Sequence, residues 1–501
     1  MSKHLEELLP LIWRIYDIHS AAALLEWDQQ TYMPPKGAEA RGQQIATLRR
    51  MAHELHVSDE YGHALSLAQG AVEDLDPDSD EACLVREVSR QFQKKRRVPA
   101  EWVGEFSETT SQAIQAWQQA RSESDFSLFK PHLERVVALR AEYASFFEPY
   151  DFIYDPLLDD FEPDMKTGAV RRVFDELRPA QVELIQSIAD RGTQVDDSPL
   201  HQDFDPKAQW DFGIEVVKRF GYDFSRGRQD KSAHPFTTAF GWGDVRITTR
   251  IYPNYIPSGL LSTMHEAGHG MYEQGVKADL ARTPLMDGAS LAIHESQSRM
   301  WENIVGRGLP FWQAFFPRLQ EYFPEQLGDL DVGNFYRIFN KVEPSLIRVE
   351  ADEATYNLHI MLRFDLEIAL LQGELAVEDL PQAWNEKMHE YLGIVPPDDS
   401  QGVLQDIHWA SGILGYFPTY ALGNLVASQL WARILHDIPN LEQQISKGTF
   451  ADLLAWLREH IHQHGAKFAP LDLLERATGE ELNPAPYLGY LSRKYGEIYH
   501  L

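Results

Sequence analysis

The chain has 501 residues, 44% of them hydrophobic and 24% charged, the balance of a globular protein with enough material for a large core. Its 76 acids outweigh 46 bases, and a net charge of −30 repels nucleic acid and anionic membrane surfaces, so neither is an expected partner. The lone cysteine, Cys83, leaves no intrachain disulfide or thiolate metal cluster and fits a cytoplasmic protein.

In chain order, the opening MSKHLEELLPLIWRIYDIHS carries Glu6 and Glu7 where a signal peptide needs an unbroken apolar core, so it reads as a helix of the mature protein. Leu84, Val85, Val88 and Phe92 repeat with helical period, and the Lys94 to Arg97 cluster closes that helix before Pro99 as a solvated end. Leu133, Val136, Val137 and Ala144 form another helical stripe, with Pro131 in its first turn. The segments 73–80 and 393–402 are short linkers, and no repeat or domain boundary interrupts residues 1–501. From Gly241 to Pro253 the period changes to two, with Val245, Ile247, Thr249 and Ile251 on one face of a strand. The expected fold is mainly α, a single domain with one small sheet.

The segment LLSTMHEAGHGMYEQG places His265 and His269 one helical turn apart on one face, where they can chelate one ion, with Glu266 beside them as a base. The alternative is a surface helix with two solvated histidines. Gly268 and Gly270 argue against it, since each costs about 1 kcal/mol in a helix interior and suggests close approach by another backbone or a ligand. A second helix offers Glu295, completing two histidines and a glutamate with an open fourth position, the ligand set of a hydrolytic zinc site. Later, Trp409 to Ala432 holds no charge over a length that could cross a bilayer, but Gly412, Gly415, Pro418 and Gly423 favour a loop and helix packed inside protein. His460, His462 and His464 precede Gly465 and read as decoration of a helix C-terminus.

Taken together, H-E-x-x-H at 265–269 and H-E-S-Q at 294–297 resemble the carboxypeptidase Taq family of metallocarboxypeptidases. Further segments agree: His234-Pro235-Phe236; Asp244, Arg246 and Thr248; Ile347-Arg348 with Ala351-Asp352; Gly402, Gln405, Asp406, His408 and Trp409; and EWDQQTYMPPKGAEARGQQIATL near the N-terminus. The match covers nearly the whole chain. The resemblance implies removal of C-terminal amino acids from peptides, a helical saddle with a deep groove and a small sheet, and a homodimer. It also implies one divalent ion per chain, zinc foremost, with cobalt or manganese as alternatives.

In the expected mechanism His265, His269 and Glu295 hold the metal and Glu266 is the general base. His408 and Tyr420 are candidate oxyanion donors, with Tyr420 as a plain core aromatic the alternative. Arg348, and second to it Arg246, can grip a terminal carboxylate through a planar fork, or instead form structural ion pairs with Asp352 and Asp244. His234 is either a core histidine or a substrate contact. An endo-acting oligopeptidase and a non-catalytic helical binding protein are the competing readings. Peptides with a blocked C-terminus separate the first from a carboxypeptidase, which should refuse amidated peptides that an oligopeptidase still cleaves.

Overall fold

Leu5, Leu8, Leu9, Ile12 and Ile15 give the first helix, Lys3–Thr31, one apolar face. That face is buried against Ala52, Tyr61, Leu65, Cys83, Leu84 and Val88. Leu84 and Val88 lie on the helix Asp80–Arg97, whose basic end stops just before Pro99 as its sequence predicts. The computed structural model describes residues 3–192 and 195–501. By contact density the chain forms two compact units: Met1–Arg96 with Asp196–Phe339 and Leu430–Glu480, and Arg97–Val195 with Asn340–Gln429 and Glu481–Leu501.

The first unit holds the sheet. β1 (Gln229–Lys231), β2 (Thr237–Gly241) and β3 (Asp244–Thr249) are ordered β1-β3-β2, with β3 parallel to β1 and antiparallel to β2. Val245, Ile247 and Thr249 are buried on β3, as their alternation predicts, and Thr248 on the opposite face is buried as well. The strand is shorter than the predicted 241–253. It ends at Thr249 because the chain turns, Tyr252 bridging to Tyr255 ahead of the next helix. A bulge between Ala239 and Gly241 shifts the β2 register.

Two helices then meet. Ile256–Gly275 carries His265 and His269 and starts with Pro257 in its first turn. Leu291–Arg299 carries Glu295, is capped by Ser290 Oγ accepting from the Ile293 amide at 3.1 Å, and continues as a π-helical turn over Met300–Val305. A Cβ on Gly268 would stand 2.7 Å from the Gln297 carbonyl oxygen and the Ser298 Cα, and one on Gly270 would meet Tyr222 at 2.8 Å and Ile247 at 3.2 Å. Both glycines are therefore contact points, the first against backbone and the second against the sheet.

In the second unit the charge-free run is buried, with Ala410, Leu414, Ala421 and Leu422 at 0% exposure. It is loop to Phe417, and its helix begins only at Pro418. Among the described residues, the helix long and apolar enough to span a membrane is instead Lys3–Thr31. Glu367, on the helix Tyr356–Gln372, fixes the run by accepting from Trp409 Nε1 at 2.9 Å and the Gly415 amide at 3.0 Å, while Tyr154 donates to it at 2.6 Å.

Candidate metal centre and surrounding site

The structure brings His265, His269 and Glu295 together, with ligand atoms all within 4.8 Å of one another. The two Nε2 atoms stand 3.5 and 3.4 Å from one oxygen, Glu295 Oε2. Tetrahedral ligands on bonds of about 2.0–2.1 Å lie roughly 3.3–3.5 Å apart, so the spacing of each imidazole from Glu295 suits a shared divalent ion.

Each ligand is itself held. His265 Nδ1 lies 2.8 Å from Glu302 Oε2, and Glu295 Oε1 accepts from Arg299 Nε at 2.6 Å. His269 Nδ1 meets His294 Nδ1 at 2.5 Å, and His294 Nε2 reaches Glu273 Oε1 at 2.7 Å. Carboxylates behind metal-ligating imidazoles fix ring orientation and raise basicity. Glu266, Glu295 and Glu302 crowd the two rings, an excess of negative charge suited to a cation. Burial works against a charged His265, yet Glu295 and Glu302 raise it to about 9. His269 goes the other way, to about 3, chiefly by burial. Glu295 is held well below its usual range, Arg299 and the two histidines overcoming burial. Burial pushes Glu266 up, and its Oε2 lies 2.7 Å from the Thr237 hydroxyl.

The remaining predicted residues are distributed as follows. His234 is exposed, which removes its reading as a core histidine. Arg246 forms the anticipated pair with Asp244, a two-pronged contact at 2.8 Å on each side, and its guanidinium lies 4.3 Å from the Trp27 ring centre. Arg348 is buried and paired, but with Asp406 at 2.9 Å and not with Asp352, whose oxygens accept from the backbone amides of Glu343, Ala354 and Thr355. Arg363 shares Asp406 at 2.7 Å, and Tyr356 lies 2.8 Å from Arg348 NH1. His408 Nε2 and Tyr420 OH are 3.3 Å apart. Burial pushes His408 down to about 4, so its ring is neutral at pH 7.

The histidine cluster near Gly465 needs a correction. His460 ends the helix Ala451–His460, but His462 is fully buried and bonded to Gln297 Oε1 at 2.9 Å, packing against Gly275 instead of decorating a helix end. Sequence reasoning also passed over Glu273, Glu302, Arg299 and Thr237. Glu273 was within reach, since it continues the i, i+4 series from His265 and His269.

The profile of the carboxypeptidase Taq (M32) metallopeptidase family matches residues 7–495. Thermostable carboxypeptidase 1 of Thermus thermophilus is 44% identical over 489 residues, 96% of each chain, and carboxypeptidase 1 of Bacillus subtilis is 38% identical over 99% of each. The crystal structure of an M32 carboxypeptidase from Deinococcus radiodurans R1 superposes with a TM-score of 0.97 at 41% identity, covering 100% of both chains. A helical fold with one small sheet, the H-E-x-x-H geometry and full-length similarity agree, and the chain belongs to the carboxypeptidase Taq (M32) family of metallopeptidases.

Proposed function

We propose that in this metallocarboxypeptidase His265, His269 and Glu295 hold one divalent ion and Glu266 moves the proton during hydrolysis. Such an ion, when bound, supplies Lewis acidity and makes water nucleophilic near neutral pH. Zinc suits two imidazoles and a carboxylate, with cobalt or manganese as alternatives. The Glu266 carboxylate, steadied by Thr237, takes a proton from the attacking water and delivers it to the leaving amine. Neutral His408 and the Tyr420 hydroxyl serve as donors to the developing oxyanion. The observation that carries this reading is the pair of Nε2 atoms set on one Glu295 oxygen, with Glu266 beside them.

Arg348 is the preferred partner for the substrate's terminal carboxylate. It and Arg363 share the single carboxylate of Asp406, which leaves positive charge in excess, whereas Asp244 matches Arg246 one to one. Matched free-acid and amidated peptides, followed by mass analysis with and without chelator, test metal dependence and direction together. Free acids should be shortened from the C-terminus and chelator should stop it. Arg348→Ala should cost about 10- to 150-fold in kcat/KM on free acids, with partial recovery in Arg348→Lys. An unaltered acid-to-amide ratio in folded Arg348→Ala protein moves the assignment to Arg246. We also read the protein as a cytoplasmic homodimer acting on peptides, which the lone cysteine and the family support.

A further inference from the structure

Next to the metal centre lies a cavity of about 490 Å³, within the range of small-ligand pockets. One wall is the first helix, through Ile12, Ile15, Tyr16, His19 and Ala23, and another is β2, through Thr237, Thr238 and Ala239. His294, in contact with His269, also lines it, as does Glu273, one turn beyond His269 on the same helix face. The cavity therefore begins where the metal ligands end.

Its charges are sorted. Glu273 and Asp287 act on each other and both act on Tyr16. Lys95 keeps company with His56, 3.3 Å from its Nδ1, and acts on His19. Glu273 is bonded to His294, but the Asp287 carboxyl lines the cavity with no hydrogen bond or ion pair among the described residues. The carboxyl is exposed and lines the cavity, where the His294 ring acts on it and, among the described residues, no Lys or Arg pairs with it.

Among the described residues β2 has only β3 as a strand neighbour, so an extended peptide can add to its other edge. Thr237 holds Glu266, and the strand runs on through Thr238 and Ala239 along the cavity. A carboxypeptidase releases one residue, so the rest of the peptide lies upstream of the scissile bond. On a strand, side chains alternate, and of two successive residues one faces the cavity. Resting on the reading of the metal centre as catalytic, we propose that the cavity is a subsite for a cationic side chain. That side chain belongs to one of the two residues preceding the released one, and Asp287 is its counter-charge.

The test uses Ala-rich hexapeptides with a constant C-terminal residue and Lys, Gln or Glu at the penultimate or antepenultimate position, plus a set varied at the C-terminal residue alone. Lys should be favoured over Gln in kcat/KM by about tenfold at one of the two upstream positions, the effect of one charge-assisted contact, with Glu slowest. Asp287→Asn should collapse that ratio and Asp287→Lys should invert it toward Glu. Because each ratio is taken within one enzyme, a loss of folded protein cancels. Equal rates for Lys, Gln and Glu at both upstream positions would overturn the proposal. So would a Lys preference confined to the C-terminal residue, or one that survives Asp287→Asn. Chelator-sensitive shortening of the Gln peptides, read in the same assay, reports separately on the catalytic reading.

Discussion

Glu266 and Glu295 are both buried acids within reach of His265, yet the structure gives them different work. Glu295 puts one oxygen between two imidazoles and the other on Arg299, while Glu266 bonds to Thr237 and is pushed up by burial. Glu266→Gln should keep the metal and lose about 10²- to 10⁴-fold in turnover, whereas Glu295→Ala should lose the metal itself. Elemental analysis beside kinetics checks both, and near-normal turnover in Glu266→Gln would remove it as the base. The histidine pair of the triad was legible in the sequence because i, i+4 spacing is local geometry, whereas Glu295 is offered by a second helix, Leu291–Arg299. The Asp406 pairing of Arg348 was not legible, since the partners are 58 positions apart and Asp352, the nearer acid, is occupied by amides. His462 misled for a related reason: its environment is made by Gln297 and Gly275, far away in sequence.

At the scale of elements, the site exists because two helices approach closely at Gly268. The sequence signalled that approach through glycines placed where a helix does not favour them, though it could not name the Gln297 to Ser298 backbone as what fills the space. Alanine at 268 gains helix propensity of about 1 kcal/mol but drives a methyl against that backbone, which has no flexible end to yield. Gly268→Ala should therefore destabilise by about 1–3 kcal/mol and weaken metal binding as the Glu295 helix is displaced. Gly104, inside the helix Ala100–Glu123, has nothing within 4 Å of its added Cβ, so Gly104→Ala should raise the melting temperature. Thermal melts and metal titration of the two variants separate contact from propensity, and stabilisation by both would show that the close approach is not a constraint. The strands show the opposite limit of legibility. β3 alternates and was found, while β1 has three residues and β2 is half-buried throughout, so neither carries a readable period.

Across the whole molecule, each compact unit is assembled from three separate stretches, and two of the divisions, at Arg96–Arg97 and Gln429–Leu430, fall inside helices. No linker composition marks such a division, which is why the sequence reads as unbroken. The buried charge of the second unit gives it a pH dependence that can be signed. Asp406 is held far below the usual carboxylate range because, against burial, Arg363 and Arg348 favour its charged form. A folded-state pKa below the unfolded value of about 3.9 contributes stability that is full above that pH and is lost as pH falls through and below it. Glu367 has the opposite sign: burial raises it to about 7, so what it contributes is present at low pH and fades as pH rises through 7. The difference between wild type and Asp406→Asn isolates the first effect from the second. At pH 7 the variant leaves two buried guanidiniums without their carboxylate and should be less stable by about 3–5 kcal/mol. Urea melts repeated at lower pH should show that gap narrowing below about pH 4, as protonation brings the wild-type residue toward the neutral variant. A gap independent of pH would mean that Asp406 contributes through shape and hydrogen bonding, and not through its charge.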